Sequence, residues 1–349
     1  MAARYLQRPG VSAAAGRVFS SHPLHPEACA VLRAANLELD MVQAAQAPLP
    51  TQAVLERAKR CAAMIAFMPD SVSEDFLEDC HHLRIVSGVL RGPDNFDLAA
   101  MSRAGIYFTR CGDLLTAPTA ELAVGLAIAL GRNVLPGDRR VRAGGFAGWR
   151  PELFGAGLAG STVGVIGLGA VGRAVVERLQ GFGVARVLYT CTDPASAAYA
   201  ASRPLLQRAP DLPSLLRQCD FVFPLTPLSA ATHHLIDAPA LAHMPCHALL
   251  VNVGRGGCVD EGAVAAALQA GRLGGYAADV FELEDWALPG RRRDIPPQLL
   301  EPGANTVLTP HLGSAVANVR RAMDIEAAEN VVDVLVRGVR PRGAVNELR

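Results

Sequence analysis

The sequence has almost no lysine. Lys59 stands alone among 33 basic side chains, so a site that calls for a cation must use arginine. Net charge is absent too. The 33 Lys and Arg balance 33 Asp and Glu, which excludes a global pull toward nucleic acid or an anionic membrane. Aromatic side chains make up 5% of the chain, too few for a base-stacking platform. The eight cysteines (Cys29, Cys61, Cys80, Cys111, Cys191, Cys219, Cys246 and Cys258) include no C-x-x-C pair. Zinc and redox motifs need such close spacing, so no metal site is expected. Free thiols buried in a reducing compartment, the cytoplasm, fit the apolar runs around them. No apolar run reaches the roughly 18 residues of a membrane span. The stretch Leu122 to Gly131 is bounded by Glu121 and Arg132.

What is there is a chain half hydrophobic and 19% charged, rich in Ala, Val and Leu. That composition suits helices covering a buried sheet and excludes a disordered chain. A length of 349 residues fits two domains of roughly 100–200 residues each. Residues 1–15 read as an N-terminal extension. With Arg4, Arg8 and Arg17 and no acid, the first 26 residues weakly resemble a transit peptide.

Apolar runs then alternate with helical patterns, which implies parallel βαβ units. "GRVFSS", "CAAMIAFMPD", "LRIVSGVL" and "GIYFTR" are strand candidates of a first α/β domain. From Thr119 to about Arg142 the pattern changes, and "TAELAVGLAIALGRNV" is expected as a long, nearly all-round apolar helix buried between domains or subunits. A glycine-punctuated loop carrying Trp149 follows. Six more strand candidates come after it: "TVGVIG", "ARVLYT", "CDFVFPL", "HALLVNV", "GGYAADV" and "NTVLTP". They fit a second, doubly wound sheet. The reading is two Rossmann-like domains. The first is discontinuous, 16–113 plus 314–340, and the second covers 114–313; the family resemblance given below implies that they are a substrate domain and a dinucleotide domain with a dimerisation arm.

The segment "VGVIGLGAVG" at 163–172 carries Gly167, Gly169 and Gly172 as G-x-G-x-x-G, after an apolar strand and opening a helix. Gly167 permits the tight turn, Gly169 lets backbone approach a pyrophosphate, and Gly172 lets helix and strand pack closely. The helix N-terminus at Ala170 and Val171 offers N–H groups to phosphate. The next strand should end on an acid for the adenosine ribose. Thr190, Cys191 and Thr192 stand there, and Asp193 comes late. NAD with Asp193 as ribose ligand is expected, with NADP also possible.

Three later strand ends carry chemistry: "VNVGRGGCVDE", "GGYAADVFELEDW" and "TPHLGSAV". Arg255 offers a planar fork of donors to an anion. His311 can move a proton near neutral pH, and Glu284 can orient it. Each also has a plainer reading: a surface charge, a solvated acid, a cap after Pro310.

With these motifs, "PLTPLSAATHHLI" and "LLVNVGRG" added, residues 60 to 345 resemble the D-isomer-specific 2-hydroxyacid dehydrogenase superfamily. The resemblance implies catalytic Arg255, Glu284 and His311, with Asp279 beside the nicotinamide. It also implies Thr119, Leu168, Pro224, Leu225 and Val253 around the cofactor. Within that superfamily, "LRGPDNFD", "GGFAGWRPELFGAGL" and "FELEDW" resemble the phosphonate (phosphite) dehydrogenases. That implies NAD-dependent oxidation of phosphite, a small anion, with Arg91, Met68, Gly92, Trp149 and Arg320 on the substrate side. Arg91 stands where those enzymes have Lys, and Phe154 where a Tyr is often found. A homodimer follows from the same resemblance. The alternative is an NAD(P)-dependent D-2-hydroxyacid dehydrogenase or 2-ketoacid reductase.

Overall fold

The computed structural model describes residues 16–285, 288 and 290–348. The N-terminal extension and Trp286 of the "FELEDW" run lie outside the described residues. The chain divides into two compact units, Met1–Leu115 with Ala317–Arg349, and Thr116–Val316.

The first unit is a five-stranded parallel sheet in the order β2-β1-β3-β4-β5. Its strands are β1 (Arg17–Ser20), β2 (Glu38–Met41), β3 (Ala63–Ala66), β4 (Ile85–Gly88) and β5 (Tyr107–Thr109). β3 and β4 are buried throughout, as a strand covered on both faces must be. One face carries helices Pro26–Ala34 and Ala317–Val332; the other packs Val54, Phe76, Leu77 and Met101. Side-chain caps set several helix starts. Ser73 accepts from the Phe76 N–H and Asp97 from the Ala100 N–H.

The second unit is a seven-stranded parallel sheet, β12-β11-β10-β9-β6-β7-β8. Its strands are β6 (Thr162–Ile166), β7 (Arg186–Thr190), β8 (Leu206–Arg208), β9 (Phe221–Pro224), β10 (Leu249–Asn252), β11 (Gly275–Ala278) and β12 (Thr306–Leu308). Separate apolar clusters fill its two faces, so this sheet is doubly wound.

Two strands escaped the sequence reading, β2 ("ELDM") and β8 ("LQR"). Both sit at sheet edges and are only partly buried, so they lack an apolar run. The apolar helix runs Thr116–Gly131, and a second helix, Val134–Arg142, follows after Asn133 with φ +52°. Among the described residues, Asp113–Gly131 is long and apolar enough to cross a membrane by length and composition, contrary to the sequence reading. Ala120, Ala123, Ala127 and Leu130 of this segment are buried in the core beside β10 and β11. Cys246 is exposed and Cys191 half-buried; the other six thiols are buried as expected.

Candidate active site

The glycine loop joins β6 to the helix Ala170–Gln180. Gly167 has φ +97°, a conformation that disfavours side chains, and a methyl there would lie 2.8 Å from the Leu225 carbonyl oxygen. A methyl on Gly172 would lie 2.2 Å from the Gly167 carbonyl oxygen. Gly169 is different: nothing lies within 4 Å of a methyl there. The tight positions are therefore structural, and the open one leaves room in front of an eleven-residue helix N-terminus. Those features fit a pyrophosphate. Leu168 is buried, and Ala170 and Val171 open the helix. Pro224 ends β9, and the Leu225 N–H donates to Ile166 at 2.7 Å, so both stand beside the loop. Val253 follows β10 and is buried.

Asp193 is exposed in the loop that follows β7. One oxygen accepts from the Ala195 N–H at 3.0 Å and the other lies 3.9 Å from Arg173. Cys191, directly after β7, accepts a hydrogen bond from Ser196 Oγ at 3.1 Å. Arg208 Nη2 reaches the Cys191 carbonyl at 3.5 Å.

The catalytic candidates sit after β10, β11 and β12, at the carboxyl ends where ligands collect in such sheets. His311 Nδ1 lies 2.7 Å from Glu284 Oε2. Glu284 Oε1 accepts the Phe281 N–H at 2.8 Å, which fixes the carboxylate from its own one-turn helix Glu282–Glu284. The His311 backbone is in the left-handed region, φ +59°, uncommon outside glycine and held by its surroundings.

Asp279 supplies that hold. It is 1% exposed, and its Oδ1 accepts from Thr309 Oγ1 and the Leu312 N–H, both at 2.6 Å. Its Oδ2 accepts the Gly313 N–H at 2.8 Å. The sequence reading put Asp279 beside the nicotinamide. In the structure both oxygens are engaged in shaping the 309–313 turn. Thr119 Oγ1 donates to the Gly313 carbonyl at 3.3 Å from the apolar helix.

Arg255 precedes the turn Gly256–Cys258 and directs Nη1 to the Gly254 carbonyl at 2.9 Å. Its own carbonyl accepts from Asn252 Nδ2 at 2.9 Å, while Asn252 Oδ1 accepts the Gly254 N–H at 3.1 Å. This fully buried Asn shapes the arginine's turn and was missed in the sequence. A polar residue closing an apolar strand was the available signal. Gly256 packs so closely on Phe281 and Glu282 that a methyl would overlap their backbone, which joins the arginine turn to the glutamate turn. Asp285 Oδ2 adds a 2.6 Å bond from the Gly257 N–H.

In the other unit, Met68 and Arg91 follow β3 and β4, half-buried, with Gly92 next to Arg91. Arg91 Nη1 is bonded to the Gly112 carbonyl at 2.6 Å and to Asp113 at 2.7 Å. The Arg320 guanidinium lies 5.9 Å from the Phe67 ring centre. Asp70, in "AFMPD", is buried, which pushes its carboxyl up to about 6 although Ser21 Oγ and the Phe67 N–H both donate to it. Trp149 stands on the segment 143–157, 78% exposed, among Phe146, Leu153 and Phe154. Among the described residues, no hydrogen bond or ring contact ties it to Arg255, Glu284 or His311.

Residues 124–313 match the family described as D-isomer specific 2-hydroxyacid dehydrogenase, NAD binding domain. A glyoxylate reductase of Pyrococcus horikoshii is 35% identical over 303 residues, 85% of this chain and 86% of the relative. One of Aeropyrum pernix is 34% identical over 335 residues, 95% and 96%. Among solved structures, the TT0316 protein of Thermus thermophilus is 31% identical with TM-score 0.82, over 94% of this chain and 99% of that one. An NADPH-dependent glyoxylate/hydroxypyruvate reductase of Sinorhizobium meliloti, in complex with NADP and malonate, is 26% identical with TM-score 0.77, over 96% and 97%.

The fold and the strand-end chemistry define an NAD(P)-dependent oxidoreductase. The chain belongs to the D-isomer-specific 2-hydroxyacid dehydrogenase family.

Proposed function

We propose that this chain reduces a small 2-oxoacid of the glyoxylate type to the 2-hydroxyacid, and runs the reverse reaction. The supporting observation is the 2.7 Å His311–Glu284 contact on strand ends shared with Arg255. The substrate class comes from relatives named glyoxylate reductase, 31–35% identical. Bound NAD(P)H supplies the hydride. Arg255 binds the substrate carboxylate through paired N–H donors. Glu284 holds Nδ1, so His311 gives its proton to the carbonyl oxygen from Nε2 and recovers one in the reverse direction. Gly167, Gly169 and Gly172 hold the pyrophosphate on the helix at Ala170. Asp193 binds the adenosine ribose.

A second reading, NAD-dependent oxidation of phosphite, is favoured by Arg91 and by the "GGFAGWRPELFGAGL" and "FELEDW" segments. A second guanidinium is surplus for a carboxylate and useful for a tetrahedral oxyanion. In that reaction a water oxygen bonds phosphorus and its proton goes to His311. The P–H hydrogen leaves with both electrons for the nicotinamide, and phosphate is released. Arg91, Arg320, Met68, Gly92 and Trp149 are the substrate-side residues of this reading, and Arg91 would exchange its Asp113 bond for the anion.

The deciding experiment is a panel of glyoxylate, D-lactate, glycerate and phosphite, each with NAD(H) and NADP(H). Glyoxylate reduction without NADH formation from phosphite supports the first reading. Phosphite turnover, lost in Arg91→Ala, replaces it with the second. Phe146, Trp149, Leu153 and Phe154, between 44% and 79% exposed, favour a homodimer in which a second copy covers them. A monomeric mass in solution counts against it.

A further inference from the structure

The turn after β9 and the one-turn helix after β11 bring together three donors that the reaction does not use: His233, His234 and Glu282. We propose that they form a binding site for a borderline divalent transition ion of the zinc class. One donor atom from each of the three lies within 4.8 Å of the others.

The site is built. His233 N–H donates to the Ser229 carbonyl at 2.9 Å and His234 N–H to the Gly257 carbonyl at 2.7 Å, which pins the turn. His234 has φ +49°, a conformation that only surrounding structure maintains in a non-glycine residue. The two rings stack with centres 3.9 Å apart, so consecutive side chains point the same way. His234 Nε2 lies 2.9 Å from Glu282 Oε2. Glu282 is 3% exposed, and its other oxygen accepts the Arg292 N–H at 3.1 Å, so the carboxylate is oriented from behind as metal-binding carboxylates are.

Two features point to a cation rather than a plain histidine–glutamate pair. His233 Nε2 is shut off from solvent and has no hydrogen-bond partner among the described residues, an arrangement that folding disfavours unless something satisfies it. Glu282 and Glu261 are also both buried, and Glu261 Oε1 accepts the backbone N–H of Glu282 at 2.8 Å, so a cation here would offset buried negative charge.

Two imidazoles and one carboxylate suit zinc, with water as fourth ligand. Donors around a tetrahedral zinc stand about 3.3 Å apart, from bond lengths of about 2.0–2.1 Å, so ring rotation of this half-exposed pair closes the set. Magnesium and calcium prefer all-oxygen shells and are excluded by the donor set.

The test is zinc titration calorimetry of the full chain, with Co2+ absorption as a second readout. The wild type should bind one Zn2+ per chain and give the intense visible bands of tetrahedral Co2+. His233→Ala leaves the His234–Glu282 pair intact. It should weaken zinc binding at least tenfold, and His234→Gln likewise, with the metal-free melting temperature of His233→Ala unchanged. No binding at tens of micromolar zinc overturns the proposal. So does an affinity that His233→Ala and His233→Gln both leave unaltered. Neither readout uses the enzymatic reaction, so the outcome is independent of the substrate.

Discussion

The two units are variations on one plan, yet only one of them is built for a dinucleotide. In both, the first strand sits where the strand order reverses: β1 between β2 and β3, β6 between β7 and β9. That reversal opens a crevice at the carboxyl end of the sheet. After β6 the crevice meets glycine, a helix N-terminus and open space at Gly169. At the end of β1 it meets Ser20, then Ser21 and His22, with Ser21 bonded to the buried Asp70. The same backbone topology thus supplies a phosphate cradle or a filled polar corner, depending on a few loop residues. Topology places a site, and side chains decide its chemistry.

The comparison can be broken most sharply at His311. His311→Ala should lower turnover about 10²–10⁴-fold while NAD(P) affinity stays near wild type. Unchanged turnover would remove the acid–base role from the larger sheet. Next is Asp70 in the smaller unit. Its carboxyl titrates at about 6 in the folded chain and near its ordinary 3.8 when unfolded, so the native state holds the extra proton between those values. This carboxyl's contribution to stability is then full below about pH 4 and is lost as pH rises through about 6. The loss is up to about 3 kcal/mol. Asp70→Asn should flatten that part of the denaturation–pH profile, and an unchanged profile would refute the burial argument.

Arg255→Ala should cost at least tenfold in kcat/KM, from a charge-assisted bond of about 1.5–3 kcal/mol. Saturation with substrate should not fully rescue it if the arginine also aligns the reacting carbon. The smallest effect distinguishes the glycines. Gly169→Ala should leave the melting temperature within about 1 °C and weaken NAD(P) binding a few-fold, because only the ligand side is open. Gly172→Ala should instead lower stability by about 1–3 kcal/mol through overlap with Gly167. Equal behaviour of the two variants would mean that the loop does not face the cofactor.

Much of the plan was legible because buried parallel strands are continuous apolar runs and the glycine loop has fixed spacing. The edge strands β2 and β8 were not legible, since half-exposed edges follow no such pattern. Asp279 shows another limit. The family resemblance placed it beside the nicotinamide; its hydrogen bonds to Thr309, Leu312 and Gly313 add a structural task that sequence order does not display. His233, His234 and Glu282 were invisible as a set because 48 residues separate His234 from Glu282.

By itself the sequence determined two α/β sheets and a dinucleotide loop, and it supplied candidates for proton transfer and anion binding. Hydrophobic periodicity and glycine spacing are local properties of a chain, readable without coordinates. Tertiary structure alone decided that the expected Glu284–His311 pair closes to 2.7 Å, that Asp279 locks the turn carrying that imidazole, and that Arg91 is engaged with Asp113. Those facts depend on where strands end relative to one another, and strand register is set by packing of the whole sheet.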